Sequence, residues 1–172
     1  MLIRRETAGD VAAIRAVTAA AFGEPGAAGS PAEATLVDEL RAGDAWLPAL
    51  SLVAVDGAGE VIGHVLCTRG LVERAPVLAL GPLSVRPDAQ GRGVGSALVH
   101  TVLGVGDALG EPLVALLGSP AYYRRFGFRL SGEYGIVPPR PQWRPHFQVR
   151  VLSAYRPGVR GTFAYPEPFD RT

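Results

Sequence analysis

What the chain lacks already narrows its chemistry. Its 172 residues contain no lysine and no asparagine, and all 17 basic residues are arginines. This composition excludes the phosphate-binding lysine of a P-loop and any lysine that forms a Schiff base. The single cysteine, Cys67, can form neither an internal disulfide nor a cysteine-rich zinc site, and we expect it to pack as a small apolar residue. We therefore expect a protein of a reducing compartment, the cytoplasm.

Long apolar runs are also missing. No stretch approaches the roughly 20 apolar residues of a membrane span, and the segment Met1–Glu6 lacks the apolar part of a secretion signal, so we expect no membrane partner. From Pro120 onward, 9 arginines stand against 3 acidic residues. This basic third predicts a solvated face or a contact with an anionic ligand. Because no basic helix accompanies it, we expect no nucleic-acid partner.

The composition that is present is typical of one compact domain, with 48% hydrophobic and 19% charged residues and a net charge of +1. We expect this domain to span residues 1–172, with a core over about 1–135 and C-terminal strands with a tail rich in proline and aromatic residues over 136–172. Hydrophobic periodicity predicts the element order β-α-α-β-β-β-α-β-α-β-β, a mixed α/β fold.

Local signals place the boundaries of these elements. Asp10 is expected to cap the first helix and Ser30 the second, which runs to about Arg41. An apolar run over 77–85 predicts a strand buried on both faces. Pro82 lies in its middle, and because proline cannot donate to a ladder, this point must be a bulge, an edge or a place where neighbouring strands part.

A glycine-rich loop between that strand and the next helix carries the chemistry. It runs from Gln90 to Ser96 with the pattern Gln-x-x-Gly-x-Gly. Glycines allow close backbone approach, and the positive end of the helix dipole favours an anion such as a pyrophosphate. The dinucleotide pattern G-x-G-x-x-G is not matched, because Gly91 and Gly93 are followed by Ser96 at its last position.

Two motifs in order resemble one family. The stretch from Leu80 to Val99 resembles the acetyl-coenzyme A signature, Q/R-x-x-G-x-G/A, of the GCN5-related N-acetyltransferase (GNAT) superfamily. The segment Tyr123–Phe128 is similar to the Y-x-x-x-G-F motif of this superfamily. The sequence from Leu116 to Phe128 resembles the branch of the superfamily that consists of predicted N-acetyltransferases. The resemblance implies a GNAT-like acyl-CoA N-acyltransferase fold, in which a central mixed sheet splays at its middle and is flanked by helices.

The resemblance also implies how acetyl-CoA, the cosubstrate, is held. The pantetheine arm enters the splayed sheet as an added strand, and backbone N–H groups of the loop hold the pyrophosphate; no metal is expected. The positions implied are Leu83, Ser84, Val85, Gln90, Gly91, Arg92, Gly93, Val94, Gly95 and Ser96. Arg124 and Arg125 either help to anchor the coenzyme or are simply solvated.

For the reaction, the resemblance implies direct attack of a primary amine on the thioester, without an acyl-enzyme. A backbone N–H, that of Leu83, would polarise the carbonyl, and Tyr123 would protonate the departing sulfur while Tyr122 packs in the core. The alternative is a coenzyme-binding sensor or interaction domain that has lost catalysis. Ala79 supports it, since some family members carry a glutamate base at this position.

The general base and the acceptor stay open. The base is His64, Glu33, Glu39 or a bound water, although a histidine in an apolar strand is more often structural. The acceptor, a small molecule or a peptide amine, would be bound by the segments 23–39 and 137–146. Three residues there, Arg140, Trp143 and Arg144, suit an acidic or aromatic acceptor. The aromatic segment 162–169 could cover a second copy of the chain, giving a homodimer, as readily as its own sheet.

Overall fold

The computed structural model describes residues 1–172 and has nine strands and four α-helices. The strands are β1 (Leu2–Arg5), β2 (Ser51–Val55), β3 (Val61–Val72), β4 (Ala75–Val85), β5 (Leu113–Leu117), β6 (Arg129–Leu130), β7 (Ile136–Val137), β8 (Phe147–Val151) and β9 (Gly161–Ala164). The helices are α1 (Val11–Phe22), α2 (Ala32–Ala42), α3 (Val94–Ala108) and α4 (Pro120–Tyr123). The predicted fold class, a mixed sheet flanked by helices, is confirmed.

The sheet has the main strand order β1-β2-β3-β4-β5-β8-β6, and β9 joins it through β3. Most neighbours are antiparallel, whereas β4 and β5 are parallel. Alternate residues of a strand face opposite sides of a sheet, so the buried strands β2 and β3 serve two cores. Leu52 and Ala54 pack with α3, and Val53 packs with α1 and α2 on the other face.

The sheet parts where the sequence has its central proline. The parallel pairing of β4 with β5 is confined to Leu78 and Ala79, which lie opposite Val114 and Ala115. Beyond that point β4 continues through the cis Gly81–Pro82 peptide to Val85 while staying paired with β3. Of the three outcomes that the sequence allowed, two are observed: β4 parts from β5, and its register with β3 shifts by one residue between Leu80 and Leu83, as in a bulge.

Asp10 occupies the cap position of α1 as expected but makes no capping hydrogen bond, and the expected cap at Ser30 is wrong. Asp10 precedes α1, but its carboxylate turns back to accept hydrogen bonds from the Thr7 N–H at 2.7 Å and from Arg4 at 2.7 Å. Ser30 makes no capping bond, and Pro31 occupies the cap position of α2. The acidic residue thus closes the turn before the helix, because an ionic partner on β1 competes for it.

The C-terminal third holds more structure than the sequence predicts. β7 and β9 form a short parallel pair, and β9 also pairs with the last two residues of β3. Phe163 of β9 is buried against Phe147, with ring centroids 5.1 Å apart. The aromatic tail therefore covers its own sheet. No helix of the structure combines the length and apolar character needed to cross a bilayer.

Candidate active site

The glycine-rich loop ends in a row of unpaired amides. Gly91 and Gly93 have φ of 72° and 82°, a left-handed conformation that favours glycine, and α3 begins directly after Gly93. None of the six consecutive N–H groups from Gly91 to Ser96 donates a hydrogen bond within the protein. Unpaired amides at a helix N-terminus carry partial positive charge, so this segment can bind an anion through its backbone.

These amides lie beside a cleft of about 510 Å³, which we call the loop cleft. Its lining includes Leu83 and Val85 of β4 and the backbone of the loop and of the first turn of α3. The Gln90 side-chain amide donates to the Val85 carbonyl oxygen at 3.0 Å and fastens the loop to the end of β4. Arg92 is exposed and is not among the residues that line the cleft.

The phase of the β3–β4 ladder determines which β4 groups face the parted side. Arg86 N–H donates to the Ile62 carbonyl oxygen at 2.9 Å, and bonded pairs alternate with unbonded pairs along an antiparallel ladder. Ser84 therefore bonds to β3, whereas the N–H and C=O groups of Leu83 and Val85 point toward β5. Since β5 pairs only with residues nearer the start of β4, this edge is unpaired apart from the Gln90 contact.

Besides Arg92, Ser84 is the other implied cofactor residue that does not line the cleft. Its side chain is buried, and its hydroxyl lies 3.3 Å from the Thr18 hydroxyl of α1. Its backbone faces His64 on β3. Neither its main chain nor its side chain is available to a ligand in the loop cleft.

A second cleft, of about 400 Å³, opens on the other side of the parted strands, and we call it the aromatic cleft. It shares Phe22 and Leu83 with the loop cleft. The remaining lining residues come from α2, the bend of β4, the end of β5, α4 and the C-terminal tail: Glu33, Leu36, Leu80, Gly81, Pro82, Leu116, Leu117, Gly118, Tyr123, Trp143, Tyr165, Phe169 and Thr172.

Tyr123 is one of the residues that line the aromatic cleft. The ring packs edge-on against Tyr122 and Phe128, with centroids 4.9 and 5.7 Å away. Its hydroxyl makes no hydrogen bond within the protein. Burial raises the pKa of Tyr123 to about 12, with a smaller contribution from Tyr122. The phenol therefore stays protonated throughout the neutral range and can act as an acid there.

Gly118 makes room for that ring. A Cβ at this position would lie 2.6 Å from the Tyr123 ring carbon Cε2 and 3.0 Å from Cδ2. The backbone of Gly118 is not in the left-handed region, so the glycine is required by proximity rather than by conformation. The position of Tyr123 thus depends on the absence of a side chain at the end of β5.

Tyr122 and Arg125 lie at the loop cleft instead. Tyr122 packs partly against the core, as expected. It also lines the loop cleft together with Gly95, and a Cβ added at Gly95 would lie 3.0 Å from the Tyr122 hydroxyl. Arg125 stacks over the Tyr122 ring at 4.6 Å and donates from Nε to its carbonyl oxygen at 2.9 Å. Arg125 is the only charged side chain lining this cleft, whereas Arg124 is absent from the lining.

Of the three side chains considered as base, the structure places one beside Tyr123. Glu33 of α2 lines the aromatic cleft and is its only charged side chain. Glu39, two turns further along α2, faces elsewhere and lies 3.4 Å from Arg171. Sequence spacing alone could not separate them, because the choice depends on how α2 packs against the sheet.

His64 belongs to a buried network and lines neither cleft. Its Nε2 lies 2.8 Å from the Ser51 hydroxyl, which itself bonds to Glu6, and Arg41 pairs with Glu6 at 2.9 Å. Because Ser51 donates to the carboxylate, Nε2 carries the proton and donates to Ser51, which leaves Nδ1 unprotonated and without a partner. Burial lowers the pKa of His64 despite the nearby carboxylate, so the ring is a neutral structural group.

Sequence reasoning missed the aromatic wall of the second cleft. Tyr165 and Phe169 stack with centroids 4.4 Å apart, and Trp143 meets Tyr165 edge-on at 6.3 Å. Only Trp143 had been singled out. Arg140 stacks over Trp143 at 5.0 Å, and neither Arg140 nor Arg144 lines the cleft. The aromatic spacing of residues 162–169 was the available signal, although it does not tell which surface these rings cover.

Comparison with known proteins identifies the family. Residues 18–128 match the acetyltransferase (GNAT) family. The N-acetyltransferase YhbS of Escherichia coli is 36% identical over 174 aligned residues, which cover 99% of each chain. The crystal structure of Escherichia coli YhbS in complex with CoA superposes with a TM-score of 0.89 at 34% identity, covering 99% of this chain and 92% of that one.

A second solved structure agrees. A GNAT family acetyltransferase from Brucella melitensis, in complex with acetyl-CoA, has a TM-score of 0.79 and 36% identity over 98% of this chain and 97% of that one. Together with the matched family segment, this similarity extends over nearly the whole chain. The chain with the parted β4–β5 pair and the amide row at α3 is therefore a member of the GNAT family and an acyltransferase.

Proposed function

We propose that the protein transfers the acetyl group of acetyl-CoA to a primary amine by direct attack. The observation that carries this proposal is the row of six unpaired amides from Gly91 to Ser96 beside the unpaired edge of Leu83 and Val85. An anion cradle adjoining a free strand edge fits a molecule with a pyrophosphate and an amide-bearing arm. The complexes of two relatives with CoA and acetyl-CoA support this assignment.

Four groups hold the cosubstrate in this proposal. The loop amides bind the pyrophosphate, the edge of Leu83 and Val85 pairs with the pantetheine arm, Gln90 keeps the loop against β4, and Arg125 adds a positive charge at the cleft. Bound there, the cosubstrate supplies an activated acyl group. The Leu83 N–H, where the two clefts meet, polarises the thioester carbonyl.

The acid and the base lie on the acceptor side. Glu33 takes the proton that the amine loses as its nitrogen bonds to the carbonyl carbon, either directly or through a water. Tyr123 gives its proton to the sulfur as the carbon–sulfur bond breaks, and the phenol regains a proton from solvent. A phenol of pKa about 12 is a weak acid toward an ordinary thiolate. Desolvation in the same cleft also raises the basicity of that thiolate. The pKa values of the phenol and of the CoA thiol are therefore closer together than they are in water.

The test combines binding with turnover. We expect acetyl-CoA, and not NAD, to raise the melting temperature, and a mixed panel of amines to release free thiol from acetyl-CoA. Tyr123→Phe should keep the stabilisation but lose about 100-fold or more in kcat. Tyr134→Phe makes the same chemical change at a ring that packs on Tyr155 far from both clefts, and it should behave like the parent protein.

Two outcomes would contradict the proposal. Stabilisation by acetyl-CoA without amine-dependent thiol release would favour the sensor or interaction domain that the missing carboxylate at Ala79 suggests. Full turnover by Tyr123→Phe would leave transfer standing but remove the acid from the mechanism.

A further inference from the structure

The aromatic cleft has the composition of a site for an apolar group. Ten of its fifteen lining residues are hydrophobic, and its wall includes the stacked pair of Tyr165 and Phe169 with the indole of Trp143. Two of its residues, Phe22 and Leu117, are large hydrophobic side chains left 40% and 41% exposed. Exposed apolar surface of this kind, at the mouth of a cleft, is stabilised when an apolar ligand covers it.

The side chains that line the cleft carry a single charge. Glu33 is the only charged side chain among them, so it offers one side-chain partner for one ammonium group. A second cationic centre would be buried against aromatic and aliphatic walls without a second side-chain carboxylate, which is costly. An acidic group next to the amine would be repelled by Glu33. The nearby arginine, Arg140, is held over the outer face of Trp143 and does not line the cleft.

The size and position of the cleft restrict the ligand further. A cavity of about 150 Å³ holds one benzene ring, so the observed 400 Å³ can take an aromatic group with a short linker. The cleft meets the loop cleft at Leu83, where the thioester lies in the proposed function. An amine that fills the aromatic wall can therefore present its nitrogen between Glu33 and Leu83.

We propose that the acceptor is a small primary amine with one cationic centre, whose nitrogen is joined through a short linker to an aromatic or comparably bulky apolar group. This proposal rests on the proposed function and adds the substrate class. In the reaction the amine, bound as an ammonium, first loses one proton to solvent through Glu33. The neutral nitrogen then bonds to the acyl carbon, the carbon–sulfur bond breaks, a second amine proton goes to Glu33 or water, and the sulfur receives the Tyr123 proton. The products are the N-acetyl amine and the free thiol of CoA.

The experiment measures kcat/KM for thiol release with matched amines at saturating acetyl-CoA. The panel contains 2-phenylethylamine and tryptamine, with propylamine as the small control, spermidine as the polycation and glutamate as the acidic amine. One methylene in a hydrophobic pocket changes kcat/KM by about 10- to 200-fold, so the aromatic amines should exceed propylamine and spermidine by about 100-fold or more.

A pair of leucine variants separates the pocket from general effects of truncation. Leu117 lines the cleft and is 41% exposed, and Leu109 at the end of α3 is 55% exposed and lines neither cleft. Leu117→Ala should lower kcat/KM for 2-phenylethylamine by about 10-fold more than it lowers kcat/KM for propylamine. Leu109→Ala should change neither value. Because both side chains are largely solvent-exposed, both variants should fold.

The possible results distinguish the two proposals. Equal or better kcat/KM with propylamine, spermidine or glutamate than with 2-phenylethylamine would overturn the acceptor class and leave acetyl transfer standing. If the enzyme prefers aromatic amines and Leu117→Ala does not alter that preference, the acceptor binds outside this cleft and the proposed site is wrong. Acetyl-CoA binding with no thiol release for any amine of the panel would overturn both proposals.

Discussion

Substitution of Gly118 by alanine should displace Tyr123 without touching any atom that reacts. The added methyl group would lie 2.6 Å from the ring carbon Cε2, where carbon atoms normally stay about 3.5 Å or more apart. The ring must therefore move by about 1 Å, against neighbours that already hold it on several sides. A misplacement of about 1 Å can cost about 100-fold in rate, so we expect kcat to fall by this factor.

The same variant should lose about 1–3 kcal/mol of stability through overpacking while its KM for acetyl-CoA stays near the parent value, because the loop cleft is unaffected. Gly104→Ala is the matched control: this exposed helical glycine has nothing within 4 Å of the added methyl group. It should gain about 0.5–1 kcal/mol and keep full activity.

Steady-state kinetics with acetyl-CoA and a reactive amine, together with thermal unfolding, check both variants. In the double variant Gly118→Ala, Tyr123→Phe, the two effects on kcat should not add, since both act through one hydroxyl. A Gly118→Ala enzyme with parental kcat, or additive losses in the double variant, would refute the argument that the ring position sets the rate.

Three further predictions concern charge and protons. Arg125→Gln should raise the KM for acetyl-CoA by about 10-fold with kcat unchanged, whereas Arg124→Gln, outside the cleft lining, should leave both kinetic constants unchanged. Burial holds the pKa of Tyr123 at about 12, above its ordinary value of 10.0. Deprotonation of this acid should therefore cause no decline in kcat below about pH 11. A decline in kcat near pH 10 in the parent enzyme but not in Tyr123→Phe would contradict this. Burial opposes ionisation of Glu6, but its hydrogen bonds, with His64 first among them, lower its pKa from 4.5 to about 2. The ionised form of Glu6 therefore stabilises the fold above about pH 4.5. Up to about 3 kcal/mol of the free energy of unfolding is lost as the pH falls through 2. Chemical unfolding over this range should show a flatter pH dependence for Glu6→Gln than for the parent protein.

The sequence predicts the geometry around the loop cleft well because its determinants are local. The irregularity in β4 follows from Pro82, which lacks an N–H, and the amide row follows from glycines that precede an amphipathic helix. Leu83 and Gly93 are ten positions apart in the chain, and Gln90 lies between them. Their relation is set by the strand–loop–helix connection, which periodicity and turn chemistry reveal.

The sequence singles out Glu33, Tyr123 and Trp143 but could not predict that they line one cleft, because that cleft is assembled from distant segments. Glu33 and Tyr123 are 90 positions apart in the chain and meet only through the packing of α2 on the sheet. β9 is a four-residue strand beginning at a glycine, and it is ordered by pairing with the far end of β3. The capping bond expected from Asp10 is absent for a related reason, since its carboxylate pairs with Arg4 of β1.

The aromatic wall lies outside the matched family segment. The loop cleft is built from residues within 18–128, whereas Trp143, Tyr165 and Phe169 come after it. In the proposed function, substitutions in the aromatic wall can therefore change the recognition of the acceptor while the binding of acetyl-CoA is preserved. In the functions proposed for the two clefts, the residues that hold the acyl donor and the aromatic wall that binds the acceptor occupy successive stretches of the polypeptide, so exchanging the terminal stretch between relatives would be a direct route to new specificities.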